Sequence, residues 1–472
     1  MKILFSLLLP ATLIAATPKR PNIILVMTDD QGWGETSYNG HPVLKTPNLD
    51  AMAANGLRFD RFYAAPNCSP ARASILTGRS NDRTAVLNHG HALRRQEQTL
   101  PAALQKAGYA TGHFGKWHLN GFSGPGAPIL ADDPYQPGTF GFDTWYSVTN
   151  FFDLDPLMSR NGSFEDMKGD SSVIIVDEAL KFISEKSKEN QPTFSVIWFG
   201  SPHVPWRASE ADKAAFKDLS PASQEHYGEL VAMDRSIGNL RAGLRKHDIH
   251  ENTLIWFNSD NGGLKGVKPT TVGDLRDFKG SIFEGGIRVP CVIEWPAGIP
   301  KSRTSHHPSG IVDIFPTITD ILDLPKSTML KPVDGSSLLP LFEKETGPRK
   351  SPLFFRHTGR LAVIDNDFKL LKEKKNAKNY QLYNLATDRR EQNNVISKHP
   401  EIARKLIAKL TAWDKTVDQS LAGNDYPKDV TPDPITTRRW PTSPEYAPFI
   451  DQWKERPEFK SYLKKPRPNS KK

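Results

Sequence analysis

Apolar positions along the first two thirds of the chain fall into short continuous runs separated by stretches with helical spacing. Asn22–Met27 (NIILVM), Thr193–Phe199 (TFSVIWF) and Thr253–Phe257 (TLIWF) are apolar without alternation, as expected of central strands covered on both faces. Ser172–Lys186 and Glu225–Lys246 carry helical patterns between them. This alternation predicts an α/β fold with a mostly parallel, doubly wound sheet flanked by helices. From Ser351 the runs shorten. Pro352–His357, Leu361–Leu371 and Gln381–Leu385 read as antiparallel strands, followed by a helix over Pro400–Asp414. That is a smaller C-terminal α+β subdomain containing an antiparallel sheet. The expected boundaries are a signal peptide over 1–17, the main α/β domain over 18–349, the subdomain over 350–425 and a Pro-rich basic tail over 426–472.

The N-terminus sets the expected compartment. Met1-Lys2 precedes an apolar run from Ile3 to Ala16 that ends in small residues, the pattern of a secretory signal peptide. The run is too short for a membrane span, and no other stretch reaches spanning length. The mature protein is therefore expected to be exported, periplasmic or secreted, with no membrane span. Two cysteines among 472 residues are too few for a disulfide framework or a cysteine-rich zinc site. Basic side chains exceed acidic ones by nine. The surplus sits at the ends: Lys2, Lys19 and Arg20 at one, and seven basic against two acidic residues over Glu455–Lys472 at the other. No basic stripe crosses the body, which argues against a nucleic-acid partner, and the C-terminal tail reads as a solvated peripheral segment.

Candidate chemistry begins where each apolar run stops. The first leads into Asp29-Asp30, the second into Ser201-Pro202-His203 and the third into Asp260-Asn261-Gly262-Gly263. In an open α/β sheet, ligands bind beyond the carboxyl ends of the strands. Asp29, Asp30, Asp260, Asn261 and His203 would then share one crevice. Each motif alone is also ordinary turn composition. Together, three carboxylates and an amide repel one another unless a hard divalent cation neutralises them, Ca²⁺ or, less fittingly, Mg²⁺. Cys68 opens the string Cys68-Ser-Pro-Ala-Arg72, in which Pro70 suits a first helical turn and Gly78 the helix end. Arg72 one turn on gives an electropositive setting for a reactive thiol, with a buried inert cysteine as the alternative. Lys116 and His118 alternate on an extended segment and face one way. With Arg72, His203 and Lys279 they form a candidate anion clamp suited to sulfuryl or phosphoryl transfer.

These residues resemble the formylglycine-dependent sulfatases of the alkaline-phosphatase superfamily. Cys68-Ser-Pro-Ala-Arg72 through Thr77-Gly78 matches the C-x-P-x-R…T-G signature, with Ala71 where the family usually has Ser. Gly108–His118 matches a second signature, and similar strings extend to Asn394. The resemblance implies that a maturation enzyme oxidises Cys68 to formylglycine, whose hydrate supplies two hydroxyls. It implies that Asp29, Asp30, Asp260, Asn261 and modified residue 68 hold Ca²⁺. One hydroxyl attacks sulfur in line, His203 protonates the leaving alcohol, and Lys279 grips the sulfate. His118 takes the proton of the second hydroxyl as sulfate departs. Arg72 and Lys116 stabilise the hydrate.

The implied substrate is a sulfated carbohydrate. Trp33, His89, His91, Trp117, Trp206 and His357 are candidate lining residues for a sugar, since rings stack on sugar faces and imidazoles read anionic groups. Two other readings stand beside this one. The same site would serve a phosphonate or phosphodiester, and an unmodified Cys68 would leave a non-catalytic binder of anionic glycans.

Overall fold

The computed structural model describes residues 20–374 and 379–463. The expected signal segment 1–17 lies outside the described residues, as does the end of the basic tail. The main sheet has eleven strands. Its centre is five parallel strands: β1 (Asn22–Thr28), β3 (Ala110–Lys116), β4 (Thr144–Val148), β5 (Thr193–Trp198) and β6 (Thr253–Ser259). They lie side by side in the order β4-β3-β5-β1-β6. Beyond β6, β7 (Arg288–Glu294) runs antiparallel and pairs in turn with β2 (Leu57–Tyr63). An antiparallel hairpin, Leu157–Arg160 with Ser163–Asp166, closes the other edge.

The unbroken apolar run of β1 has a direct cause. Ile23, Leu25 and Met27 enter one core, whereas Ile24 and Val26 enter the other. Helix α1 (Cys68–Thr77) lies in the first core through Ala71, Ile75 and Leu76. Helices α2 (Ser171–Lys188) and α3 (Pro221–Lys246) cover the second through Ile175, Leu230 and Met233. Asp170 caps α2, accepting from Ser172 N at 2.8 Å, and Ser220 caps α3 ahead of Pro221.

The C-terminal subdomain is an antiparallel sheet of β8 (Leu353–His357), β9 (Arg360–Asp365), β10 (Phe368–Lys372) and β11 (Gln381–Asn384). The single strand expected over Leu361–Leu371 is two, because the chain turns at Asn366, whose φ is 55°. Helix α4 (Pro400–Leu421) covers one face, burying Leu406, Leu410 and Trp413 against Val363, Leu370 and Leu382. The other face meets Tyr63, Ile282 and Phe283 of the main domain, next to the segment that carries Lys279.

One expectation needs correction. Glu455–Lys472, expected to be solvated, packs through Phe459 within its described part, and the Pro-rich stretch before it packs too. Arg438–Arg439 pair with Phe122–Ser123, and Trp440, Tyr446, Trp453 and Phe459 are buried against Phe122, Leu130 and Leu157. Burying one large apolar side chain stabilises by about 1.5–3 kcal/mol, so four aromatics outweigh the hydration of the interleaved charges. The charge pattern drew attention to the solvent-facing side chains and hid this apolar face.

Candidate active site

The three apolar strands place their polar sequels together because backbone bonds tie their ends. Asp29 N donates to Ser201 O at 3.0 Å, and Asp260 N donates to Thr28 O at 3.1 Å. Lys279 N donates to Gly263 O (3.0 Å) and Gly280 N to Pro66 O (2.9 Å), which joins the lysine loop to the stretch before Cys68. Gly262 is required for this closeness: a Cβ there would lie 1.9 Å from Gly285 O. Cys68 is the first residue of α1, and the helix ends at Gly78 with φ 68°.

Asp29, Asp30, Cys68 and Asp260 converge, each offering an atom within 4.8 Å of the others. The Cys68 thiol donates to Asp29 Oδ1 at 3.2 Å. Asp30 N donates to Asp260 Oδ1 at 3.0 Å, and Asn261 Nδ2 to Asp30 Oδ1 at 2.8 Å. Cations surround this acidic knot. Lys116 Nζ donates to Asp29 Oδ2, and Lys279 Nζ lies 2.5 Å from Asp30 Oδ1 and 3.4 Å from Cys68 Sγ. Arg72 donates to Asp260 Oδ2 (3.2 Å) and Lys116 O (3.0 Å), its guanidinium 4.9 Å from the Trp198 ring centre. His203 Nε2 lies 3.8 Å from Asp30 Oδ2.

The donor set fits a hard cation. Asp30 Oδ2 and Asn261 Oδ1 are buried without a hydrogen-bond partner, and the cluster is rich in oxygen donors, with residue 68 and the His203 imidazole the exceptions. The carboxylates also repel. Burial, and then the charge of Asp29, pushes Asp260 up to about 8. Burial would raise Asp29 too, but Lys116, His203 and Arg72 outweigh it and hold that carboxyl well below its usual value. Cys68 departs from the electropositive setting expected of it. Burial, Asp260 and Asp29 push its thiol well up, because Arg72 is spent on Asp260 and a backbone carbonyl. An unmodified thiol here is a poor nucleophile.

Both histidines of the clamp are drawn toward the neutral form. Burial and then Lys279 pull His203 down to about 4; burial, Lys116 and Arg72 pull His118 well below its usual value. His118 has φ 55° and a buried Nδ1 without a partner. Its carbonyl accepts from Ser69 Oγ at 2.7 Å, and that oxygen accepts from Gly90 N at 2.8 Å. Ser69 thus fastens the His118 and His89 segments to α1.

The candidate sugar-lining residues are dispersed. His89 stands at the mouth, where burial, Lys279 and Lys116 depress it. His357 is buried at the end of β8 and is pulled to about 4 by burial, Arg360 and then His89. His91 is half-buried with an unpartnered Nδ1. Trp206 donates to Pro202 O (2.8 Å) and meets His226 edge-on. Trp33 is buried, with the guanidiniums of Arg288 and Arg389 5.1 and 5.2 Å from its ring centre. Trp117 does not line the crevice. It is fully buried, stacks with Trp198 and donates to Tyr135 O, because the chain turns it inward between Lys116 and His118.

Sequence reasoning missed three supports. Phe151 stacks on His203 with ring centres 4.8 Å apart. Glu35 accepts from Gly32 N at 2.8 Å and pairs with His226, pinning the loop after Asp30. Trp198 floors Arg72. Only Glu35 carried a signal, an acidic residue five positions after Asp30.

Comparison with known proteins agrees with this geometry. The Sulfatase family model matches residues 21–324, and that of the N-sulphoglucosamine sulphohydrolase C-terminal region matches 276–416. The chain is 32% identical to N-acetylgalactosamine-6-sulfatase of Sus scrofa over 390 residues, 75% of this chain and 72% of the relative. It is 27% identical to a sulfatase of Formosa agariphila, covering 87% of this chain and 92% of that one. Among solved structures, Ps i-CgsB in complex with a neocarrahexaose superposes with a TM-score of 0.75 at 24% identity, over 86% of this chain and 97% of that one. The chain belongs to the sulfatase family and is a sulfatase enzyme.

Proposed function

We propose that the protein is an exported, periplasmic or secreted, carbohydrate sulfatase that hydrolyses a sulfate ester with formylglycine derived from Cys68 and a bound Ca²⁺. The observation that carries this reading is the meeting of residue 68, three aspartates and Asn261 inside a ring of Arg72, Lys116 and Lys279. Asp29, Asp30, Asp260 and Asn261 would hold the cation, together with an oxygen that takes the place of Cys68 Sγ. The metal would supply charge neutralisation and a lowered pKa for a coordinated hydroxyl, and a maturation enzyme would supply the aldehyde.

The chain's own residues divide the remaining work. Lys279, 15% exposed at its side chain and facing Cys68 Sγ, binds the sulfate oxygens at the mouth. Arg72 and Lys116, fully buried, fix Asp260 and Asp29 and keep a positive potential around residue 68. Burial and Lys279 draw His203 toward its neutral form, and an anionic ester that offsets Lys279 would favour its protonation and its donation to the leaving alcohol. His118 offers the unpartnered Nδ1 as a proton acceptor on the opposite step. The names of the relatives favour a sulfated amino sugar, with N-acetylgalactosamine 6-sulfate the first to try.

The decisive experiment is mass spectrometry of the tryptic peptide ending at Arg72, from protein purified from its native host. An aldehyde oxygen in place of sulfur supports the reading. An intact thiol leaves the non-catalytic glycan binder. Turnover of matched sulfate and phosphodiester esters then separates a sulfatase from a phosphonate or phosphodiester hydrolase, and the sulfate is expected to win.

A further inference from the structure

Lys279, assigned above to the sulfate oxygens, stands on a stretch from Thr271 to Phe283 that has no helix or strand of its own. On the active-site side this stretch is tied to Gly263 O and Pro66 O. Its other polar ties come from the C-terminal subdomain. Gly285 N donates to Arg276 O at 2.7 Å, so residues 276–285 form a closed loop with Lys279 inside it. Glu391, in the segment after β11, holds both ends of that loop. Its carbonyl accepts from Arg276 Nη1 at 2.8 Å, and its Oε2 accepts from Glu284 N at 2.7 Å. Glu391 sits in the left-handed region, with φ 54°, a conformation that a non-glycine residue keeps only where its surroundings over-determine it.

Buried charge reinforces the join. Lys369 of β10 donates to Glu284 Oε1 at 3.0 Å and lies 2.9 Å from Glu391 Oε1, and all three side chains are fully buried. Tyr63 donates to Glu284 Oε2 at 3.1 Å. Arg276 donates also to Tyr383 Oη at 3.1 Å, and its guanidinium lies 3.7 Å from the Phe283 ring centre. Buried ion pairs often add no more stability than apolar groups of the same volume, whereas they fix distance and direction. Three such charges where the subdomain meets the Lys279 loop serve geometry more than stability. Geometry matters here because Lys279 Nζ must stay close to residue 68, and a misplacement of about 1 Å in a reacting site costs up to about a hundredfold in rate.

We infer that Glu391 is a positioning residue for sulfate-ester hydrolysis: together with Arg276 it clamps the ends of the 276–285 loop and so holds Lys279 Nζ beside residue 68. This rests on the carbohydrate-sulfatase reading, in which Lys279 binds the sulfate, and deepens it by giving the C-terminal subdomain a part in that binding.

The test is a double-mutant cycle on the full-length protein, read as kcat/KM for p-nitrophenyl sulfate. Each preparation is normalised to its folded fraction and to the conversion of residue 68 measured by mass spectrometry. Glu391→Ala and Arg276→Met should each lower kcat/KM about tenfold beside Lys279, and by less than about twofold in a Lys279→Met background. A residue that acts on stability alone would lose the same factor in both backgrounds. Equal factors, or no loss beside Lys279, overturn the clamp. If Glu391→Ala melts below the assay temperature, Arg276→Met, half-buried and outside the ion triad, decides the cycle by the same outcomes. A Lys279→Met variant as active as the parent would sink the sulfate-binding role of the lysine and the clamp with it. A loss on Lys279→Met combined with equal factors sinks the clamp alone.

Discussion

Replacing Lys279 by Met removes the cation that, among the described residues, faces both Cys68 Sγ and solvent, and leaves an unbranched side chain one atom shorter. An anionic oxygen at the Sγ position would lie 3.4 Å from Nζ. At an effective dielectric of about 20, a full unit-charge pair at that distance is worth about 5 kcal/mol. Only part of that acts on the transition state, because the ester's sulfate is already charged when it binds. Removing one preorganised donor of this kind typically costs about 3 kcal/mol of activation free energy. That corresponds to a fall of about a hundredfold in kcat/KM. Folding should suffer less. Asp30 Oδ1 keeps its bond from Asn261 Nδ2, and losing one hydrogen bond to a charged group costs about 1.5–3 kcal/mol. The assay is initial-rate hydrolysis of p-nitrophenyl sulfate alongside a thermal melt, with Lys279→Arg expected to recover part of the loss. A variant that melts normally and loses less than about tenfold would show that the lysine does not bind the reacting group.

Four further outcomes follow from the same geometry. Dialysis against EGTA should abolish turnover and lower the melting temperature, since a cation present at about a hundred times its dissociation constant adds about 2.7 kcal/mol of stability; readdition of Ca²⁺ should restore both, and indifference to the chelator refutes the metal site. Cys68→Ala should reduce aryl sulfate turnover to background, and residual turnover within about tenfold of the parent would remove residue 68 from the chemistry. Ser69→Ala leaves Gly90 N and the His118 carbonyl without their shared hydroxyl, so a loss of about 1–3 kcal/mol in denaturant unfolding is expected, and no change would mean the tether is idle. Trp453→Ala should cost about 3–5 kcal/mol and make the C-terminal segment sensitive to proteases, because its ring is packed among Trp440, Phe449 and Phe459; an unchanged melt would return this segment to the solvated tail the sequence suggested.

What could be read from residues alone follows the range of the forces that place them. β1, β5 and β6 were visible because burial on both faces writes itself locally, as apolar residues in succession. Their polar sequels are visible because a doubly wound sheet delivers strand ends to one side, which groups Asp29, His203 and Asp260 from the sequence alone. β2 and β7 were not visible as a pair: LRFDRFY alternates, its partner holds a proline, and their antiparallel register is set by residues more than 200 positions apart. Trp117 was misjudged for a related reason. Its neighbours Lys116 and His118 belong to the crevice, but the strand ends at Lys116 and the chain turns at His118, whose φ is 55°, and the side chain between them lies in the aromatic core. The C-terminal segment shows the limit most clearly. Its formal charge is a sum over positions, whereas its fold depends on Trp440, Tyr446, Trp453 and Phe459 meeting Phe122 and Leu157, contacts that no local pattern encodes. The Cys68 environment combines both cases. The helix start and Arg72 are local and were legible, but the potential at the sulfur is decided by Asp29 and Asp260 arriving from distant strands. Those carboxylates suppress thiolate chemistry at the position where they could hold a cation, which is why the site makes chemical sense with an oxygen at residue 68 and little sense with a sulfur.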